Sequence, residues 1–168
     1  MAGLVTTRTT RESIAEVRAL LSAALPVRYA DSFYTALLDA ERVSVEARTA
    51  DTSVLVGHAA WMVQHVDGVH GELYVLALVV DARFRRMGVG TMLVAEAIKG
   101  AVARRDVERV ILHVQTSNED ALAFYEKLGF HVIDTLMGYY SSRVSAFRPL
   151  GGQLTCVVRA RSARCALA

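Results

Sequence analysis

Residues 72–104 constrain this chain more than any other stretch, because a strand, a basic glycine loop and a helix start follow one another there. Leu73-Tyr-Val-Leu-Ala-Leu-Val-Val80 is apolar throughout, rich in β-branched and aromatic residues and too short for an independent helix. It predicts a strand buried on both faces. Asp81 ends it. Arg83-Phe-Arg-Arg-Met-Gly-Val-Gly90 then crowds arginines and glycines into one turn, and from Thr91 to Lys99 apolar residues recur at helical spacing.

Such a loop suits an anion. Glycines let the backbone approach a ligand closely, while the first free N–H groups of a helix and its dipole favour a phosphate. Arg85 and Arg86 add charge. The dinucleotide fingerprint G-x-G-x-x-G fails, since Leu93 stands where the third glycine belongs, and the P-loop fails for want of Gly-Lys-Ser/Thr. A solvated basic turn that merely caps a helix is the alternative.

The remaining sequence bounds the answer. At 168 residues, with 53% hydrophobic and 21% charged, the chain is expected to form one globular domain over residues 1–161, with 162–168 a flexible tail. A net charge of +2 and a pI near 8.7 are too mild to argue for nucleic acid, and no nucleic-acid function is expected. Cys156 and Cys165 lack metal-ligand spacing, and no metal is expected. No apolar run reaches transmembrane length and no signal core opens the chain, so a soluble protein of the reducing cytoplasm is expected, with the nucleus also open.

In order, Val5 to Arg8 reads as a strand, and Thr9 with Glu12 as a capping box ahead of an amphipathic helix through Ile14, Val17, Leu21 and Leu25, stopped by Pro26. Asp31 is an N-cap candidate for a short helix through Phe33, Leu37 and Leu38. Val43, Val45 and Ala47 alternate with Ser44, Glu46 and Arg48 as a half-buried strand, followed by a strand from Val54 to Val66 and a hairpin turn at Asp67-Gly68. After the central helix come a buried strand from Arg109 to Val114, a helix capped by Asn118 and closed by Gly129, a strand from His131 to Leu136, and a last one from Gln153 to Arg161 beyond Gly151-Gly152. The order predicts an α/β domain with a mixed, mostly antiparallel sheet flanked by helices. His58, His65, His70 and His131 read as surface or satisfied structural residues.

Arg85-Arg-Met-Gly88-Val-Gly90 resembles the pyrophosphate loop of the GNAT acetyltransferases, Arg/Gln-x-x-Gly-x-Gly/Ala. Asn118, Ala121, Phe124-Tyr125 and Gly129-Phe130 resemble that superfamily's second signature. The element order matches across essentially the whole chain. The resemblance implies a GNAT fold, whose splayed central strand pair forms a slot for acetyl-coenzyme A. More narrowly, Leu25-Pro-Val-Arg-Tyr29, Glu72 to Leu78, Leu112 to Glu119 and Gly138-Tyr-Tyr140 are similar to the family of NatE-type catalytic subunits, which acetylate Met-starting N-termini. Leu25 replaces that family's phenylalanine and Leu76 stands where it tends to carry methionine. Both changes keep an apolar wall and bear on side-chain preference.

Carried over by position, the resemblance implies Tyr74 and His113 as the catalytic pair, and Leu25, Pro26, Val27, Tyr29, Leu76, Tyr139 and Tyr140 as the pocket for the peptide end. It implies cofactor contacts at Leu78, Val79, Val80, Arg85, Arg86, Met87, Gly88, Val89, Gly90 and Thr91, with Asn118 and Tyr125 near the thiol. It also implies protein N-termini as substrate and association with NatA-type auxiliary and catalytic subunits at the ribosome.

The residue types suit the chemistry. Acetyl transfer from a thioester to an amine needs a neutral amine, a route for its proton, donors for an oxyanion and a proton for the leaving thiolate. An α-amine with pKa near 8 is roughly a fifth to a third neutral near pH 7.4, against about one lysine in a thousand. A histidine with a water-linked tyrosine therefore suffices, and no cysteine near the motif offers a covalent route. A tyrosine and a histidine in buried strands are also ordinary core residues, and Tyr125 could simply pack its helix. A lysine acetyltransferase and an idle cofactor-binding subunit of a larger complex remain the competing functions.

Overall fold

In the computed structural model, the described residues are 3–26, 28–65, 71–103, 107–137 and 154–160. The elements run β1 (Leu4–Arg8), α1 (Ile14–Ala24), α2 (Asp31–Ala36), β2 (Arg42–Thr49), β3 (Leu55–His65), β4 (Gly71–Val80), a 3-10 turn (Ala82–Phe84), α3 (Val89–Ala103), β5 (Val107–Gln115), α4 (Glu119–Lys127), β6 (Phe130–Met137) and β7 (Leu154–Ala160). They form a seven-stranded sheet in the order β1-β2-β3-β4-β5-β7-β6. Only β4 and β5 run parallel; every other neighbouring pair is antiparallel. The hairpin turn at Asp67-Gly68, His70, Gly151-Gly152, the ends of the last predicted strand and the tail 162–168 lie outside the described residues.

Helices cover both faces. α3 and α4 pack on one through Val89, Leu93, Val94, Ala97, Ile98 and Tyr125, against Val56, Trp61, Leu73, Val110 and Leu112. Contact is closest at Gly57, where an added Cβ would come 2.9 Å from Val89 Cγ1 and 3.0 Å from Leu93 Cδ1. A side chain there would push the helix off the sheet. α1 and α2 cover the other face. Val17 and Leu21, one turn apart, are wholly buried against Leu55, Ala60, Ala77 and Val79. Pro26 follows directly, and α1 ends at Ala24.

The start of α1 corrects the sequence expectation. No capping box forms at Thr9 and Glu12; instead the helix begins at Ile14 and the Thr9 hydroxyl accepts from Ser44 at 2.7 Å. Ser13 likewise makes no side-chain cap, because its hydroxyl donates to the Glu46 carboxylate. Asp31 does not cap α2 either, being drawn into an ion pair with Arg18 at 2.6 Å, and α2 stops at Ala36. A further correction concerns β2, where the alternating polar residues lie inside. Glu46 is 1% exposed and accepts from Arg48 Nε at 2.8 Å, while Arg48 also meets Glu16 on α1 at 3.0 Å and donates to the Ser53 carbonyl at 2.7 Å. α1 covers these groups, and they satisfy one another.

His58 belongs to the same face, 0% exposed, with Nε2 2.8 Å from the Ser44 hydroxyl. Because that hydroxyl donates to Thr9, Nε2 is the donor, which leaves Nδ1 an acceptor with no partner among the described residues. This is neither the surface nor the satisfied position that the sequence suggested. Burial lowers its pKa from 6.5 to about 4. The unfolded imidazole binds a proton near pH 6.5 and the folded one only near pH 4, so the unfolded state holds more protons between them. Stability therefore falls as pH drops through that window, by up to about 1.4 kcal/mol per pH unit. Melting temperatures of wild type and His58→Gln between pH 7.5 and 4.5 check this: the variant should lack most of the slope.

Candidate active site

Three strands set the site's frame. β4 pairs with β5 only from Gly71↔Val107 to Tyr74↔Ile111, after which β4 continues beside β3 and β5 beside β7. The strands part at Tyr74. Within β4 the pairing to β3 passes from Trp61↔Val75 to Ala60↔Ala77, so Leu76 is an extra residue and the strand bulges there. The expectation of burial on both faces fails at this point, since Tyr74, Val75 and Leu76 are only partly buried. They border the opening.

β4 then ends at Asp81, whose carboxylate accepts from the Arg83 side chain at 2.8 Å and its backbone N–H at 2.9 Å. Those bonds hold its carboxyl at about 2. The chain turns through Arg86 at φ 63° and Gly88 at φ 83°, and the Gly88 carbonyl accepts the first bond of α3 from Met92. The earliest N–H groups of α3 have no acceptor within the helix. Beside them lies a cleft of about 480 Å³ lined by Leu25, Leu78, Val79, Val80, Arg85, Arg86, Gly88, Val89, Gly90, Thr91, Asn118 and Tyr125, all positions singled out from sequence. Met87 is the exception: it is 50% exposed and outside the lining. The turn between two left-handed residues leaves it on the outside of the loop.

The opposite wall is α4. The Asn118 Oδ1 accepts from Ala121 N–H at 3.1 Å, and Gly129 closes the helix at φ 82°. Sequence reasoning did not assign Asp120, Ala123, Phe124 and Lys127 to the cleft, although their spacing along α4 puts them on one face and they line it. Tyr125 both lines the cleft and packs edge-on to Phe130, with ring centroids 5.4 Å apart. The cradle fits a pyrophosphate-bearing ligand: Gly88 opens onto free space, and a Cβ on Gly90 would come within 3.2 Å of the Phe124 ring.

On the α1 side, Tyr74 and His113 meet directly, hydroxyl to Nδ1 at 2.9 Å. They lie further back along β4 than the cleft lining. Between the two, Tyr29 stacks on Phe33 with centroids 4.0 Å apart and donates to the Leu76 carbonyl at 3.4 Å, while Leu25, Tyr29, Phe33 and Leu76 pack on the same cluster. Phe33 was not foreseen as part of this wall. Pro26 is exposed beside it; Val27, Tyr139 and Tyr140 lie outside the described residues.

A model of the acetyltransferase (GNAT) family matches residues 14–130. The chain belongs to this family. N-alpha-acetyltransferase 50 of Danio rerio is 32% identical over 131 residues, covering 78% of this chain and 76% of that protein. The probable N-acetyltransferase san of Drosophila melanogaster is 30% identical over 131 residues, covering 78% and 70%. Among solved structures, Arabidopsis thaliana Naa50 in complex with the bisubstrate analogue CoA-Ac-MVNAL superimposes with a TM-score of 0.76 at 26% identity, covering 93% of this chain and 97% of that one. The fold is therefore the GNAT fold and the cosubstrate is acetyl-coenzyme A. Gly90→Ala should leave the melting temperature nearly unchanged while the displaced Phe124 weakens acetyl-coenzyme A binding, by about fivefold for roughly 1 kcal/mol. Titration calorimetry reads the difference.

Proposed function

We propose that this chain acetylates the α-amine of protein N-termini, preferring Met followed by an apolar residue, by direct attack within a ternary complex. The observation that carries the reading is the hydrogen-bonded Tyr74–His113 pair, set at the point where β4 and β5 part and beside the apolar wall of Leu25, Tyr29 and Leu76. An amine entering from that wall meets a proton acceptor, and the cleft at the end of β4, which Leu25 also lines, holds the donor. Similarity to N-alpha-acetyltransferase 50, and to a structure whose analogue carries a peptide beginning with Met, supports the choice of substrate.

Arg85, Arg86 and the first turn of α3 would hold the pyrophosphate, with Leu78 to Val80 along the pantetheine arm. Bound acetyl-coenzyme A supplies the thioester carbonyl. His113 and Tyr74 accept the proton that the ammonium loses; the neutral fraction of an α-amine near pH 7.4 makes a modest base adequate. A backbone N–H at the Leu76 bulge stabilises developing negative charge on oxygen, and the Tyr125 hydroxyl supplies a proton to the leaving sulfur. The same reading places the protein in the cytoplasm and, through the NatE-type resemblance, alongside a NatA-type assembly at the ribosome.

Three matched peptides test the substrate: one starting Met-Leu, one starting Ser-Glu, and one with a blocked end and an internal lysine. Met-Leu should be turned over fastest; preference for the blocked lysine peptide would move the activity to side chains. Tyr74→Phe and His113→Ala should each lower kcat on the order of a hundredfold with acetyl-coenzyme A affinity unchanged. Full turnover by both variants would remove the pair from the chemistry.

A further inference from the structure

We infer that the Glu72–Arg109 ion pair positions Tyr74 and His113 by clamping β4 to β5 just before the strands diverge. The inference rests on the catalytic reading of that pair. Glu72 and Arg109 are direct partners in the short parallel register that ends at Tyr74↔Ile111. Glu72 Oε1 lies 2.5 Å from Arg109 Nε, with the side chains 7% and 28% exposed; the contact is one of charge, since Nε is not aligned for a hydrogen bond. Across the other ladder, Gln64 stands opposite Glu72 and donates from Nε2 to its second carboxylate oxygen at 3.4 Å. One carboxylate thus ties β3, β4 and β5 together.

Leu73, Val110 and Leu112 turn toward the α3 core, so strand alternation puts Glu72 and Tyr74 on the other face of β4 and Arg109, Ile111 and His113 on the matching face of β5. Tyr74 is paired with Ile111, so its hydroxyl reaches diagonally to His113, beyond the last backbone pair. A bond spanning two diverging strands has a length set by the angle at which they part. The Glu72–Arg109 contact is a side-chain tie behind it on that face. A buried ion pair often stabilises no better than apolar residues of similar volume, but removing one partner leaves an uncompensated charge between the two strands. Glu72 acts through Tyr74 and touches no substrate; it is a positioning residue.

The test compares Glu72→Gln, Arg109→Gln and the double variant, and repeats Glu72→Gln in a Tyr74→Phe background. Glu72→Gln should lower kcat about tenfold without moving the KM for acetyl-coenzyme A, since small misplacements at a reacting centre cost that much or more. The double variant, whose two amides bridge the same gap without a lone charge, should recover to within about threefold of wild type. With Tyr74→Phe already present, Glu72→Gln should cost less than about twofold. An equal loss with and without the Tyr74 hydroxyl, or a loss confined to the acetyl-coenzyme A KM, overturns the inference. The NMR shifts of the His113 ring provide a readout that needs no turnover: Glu72→Gln should move them in the same direction as Tyr74→Phe, and an unmoved ring overturns the clamp. If wild type acetylates no peptide N-terminus, the proposed function falls while the ring shifts still decide the clamp. Should Glu72→Gln fail to fold, Arg109→Lys keeps the charge with a shorter reach; a kcat loss that vanishes in the Tyr74→Phe background supports the clamp, and no loss overturns it.

Discussion

The hydrogen bonding between β4 and β5 stops after Tyr74, and the site depends on that interruption. Each strand keeps its outer neighbour, β3 or β7, and gives up the inner one. Two strand edges therefore face each other across a gap inside a sheet. Backbone N–H and C=O groups along such edges have strong directional demands that an extended, amide-bearing molecule can meet. A thioester carried on a pantetheine arm and a peptide end are both molecules of that kind. A sheet with a continuous ladder here would hold its strands together better and would have nowhere to bring the two reactants into line.

The donor's cleft and the Tyr74–His113 pair occupy different stretches of β4. The basic loop and α4 bound the cleft at the end of the strand, where Leu25 and Val79 of the α1-side cluster also line it, whereas Tyr74, His113 and the Tyr29–Phe33 stack lie further back on the α1 side. β4 serves both, presenting Leu78 and Val80 to the α3 side while Leu76, Ala77 and Val79 pack toward α1. Attack has to take place where the strand itself no longer blocks the way. The rigidity of the walls comes from ordinary packing: Val17 and Leu21 under α1, and Gly57 allowing α3 to sit directly on the sheet.

Local signals were legible in the sequence. The apolar run of β4, the glycine loop, the Asn118 cap and the Gly129 stop each announce themselves within a few residues, and the structure places them as expected. Long-range pairing was not legible. Nothing near Leu76 marks it as the extra residue, because a bulge is defined by the partner strand. Ser44 and Glu46 alternate with apolar residues and so read as solvent-facing, yet both are buried, Glu46 accepting from Ser13 and Arg48 and Ser44 bonding Thr9 and His58. The pairing of Glu72 with Arg109 was hidden for the same reason, being fixed by a crossover 37 residues long in sequence separation and by register rather than by any nearby pattern.

The bulge at Leu76 also bears on how such a strand can change. Side chains in a strand point alternately up and down, and one surplus residue reverses the phase of everything after it. Removing a single residue between Val75 and Val79 would reverse the outlook of one end of β4 relative to the other, turning side chains such as Leu78 and Val80 from the α3 side to the α1 side and Ala77 and Val79 the reverse. Substitutions in this segment adjust a wall; a change of length turns a whole stretch of it to the other face. Its evolution and its engineering are therefore confined to changing the letters while keeping their number.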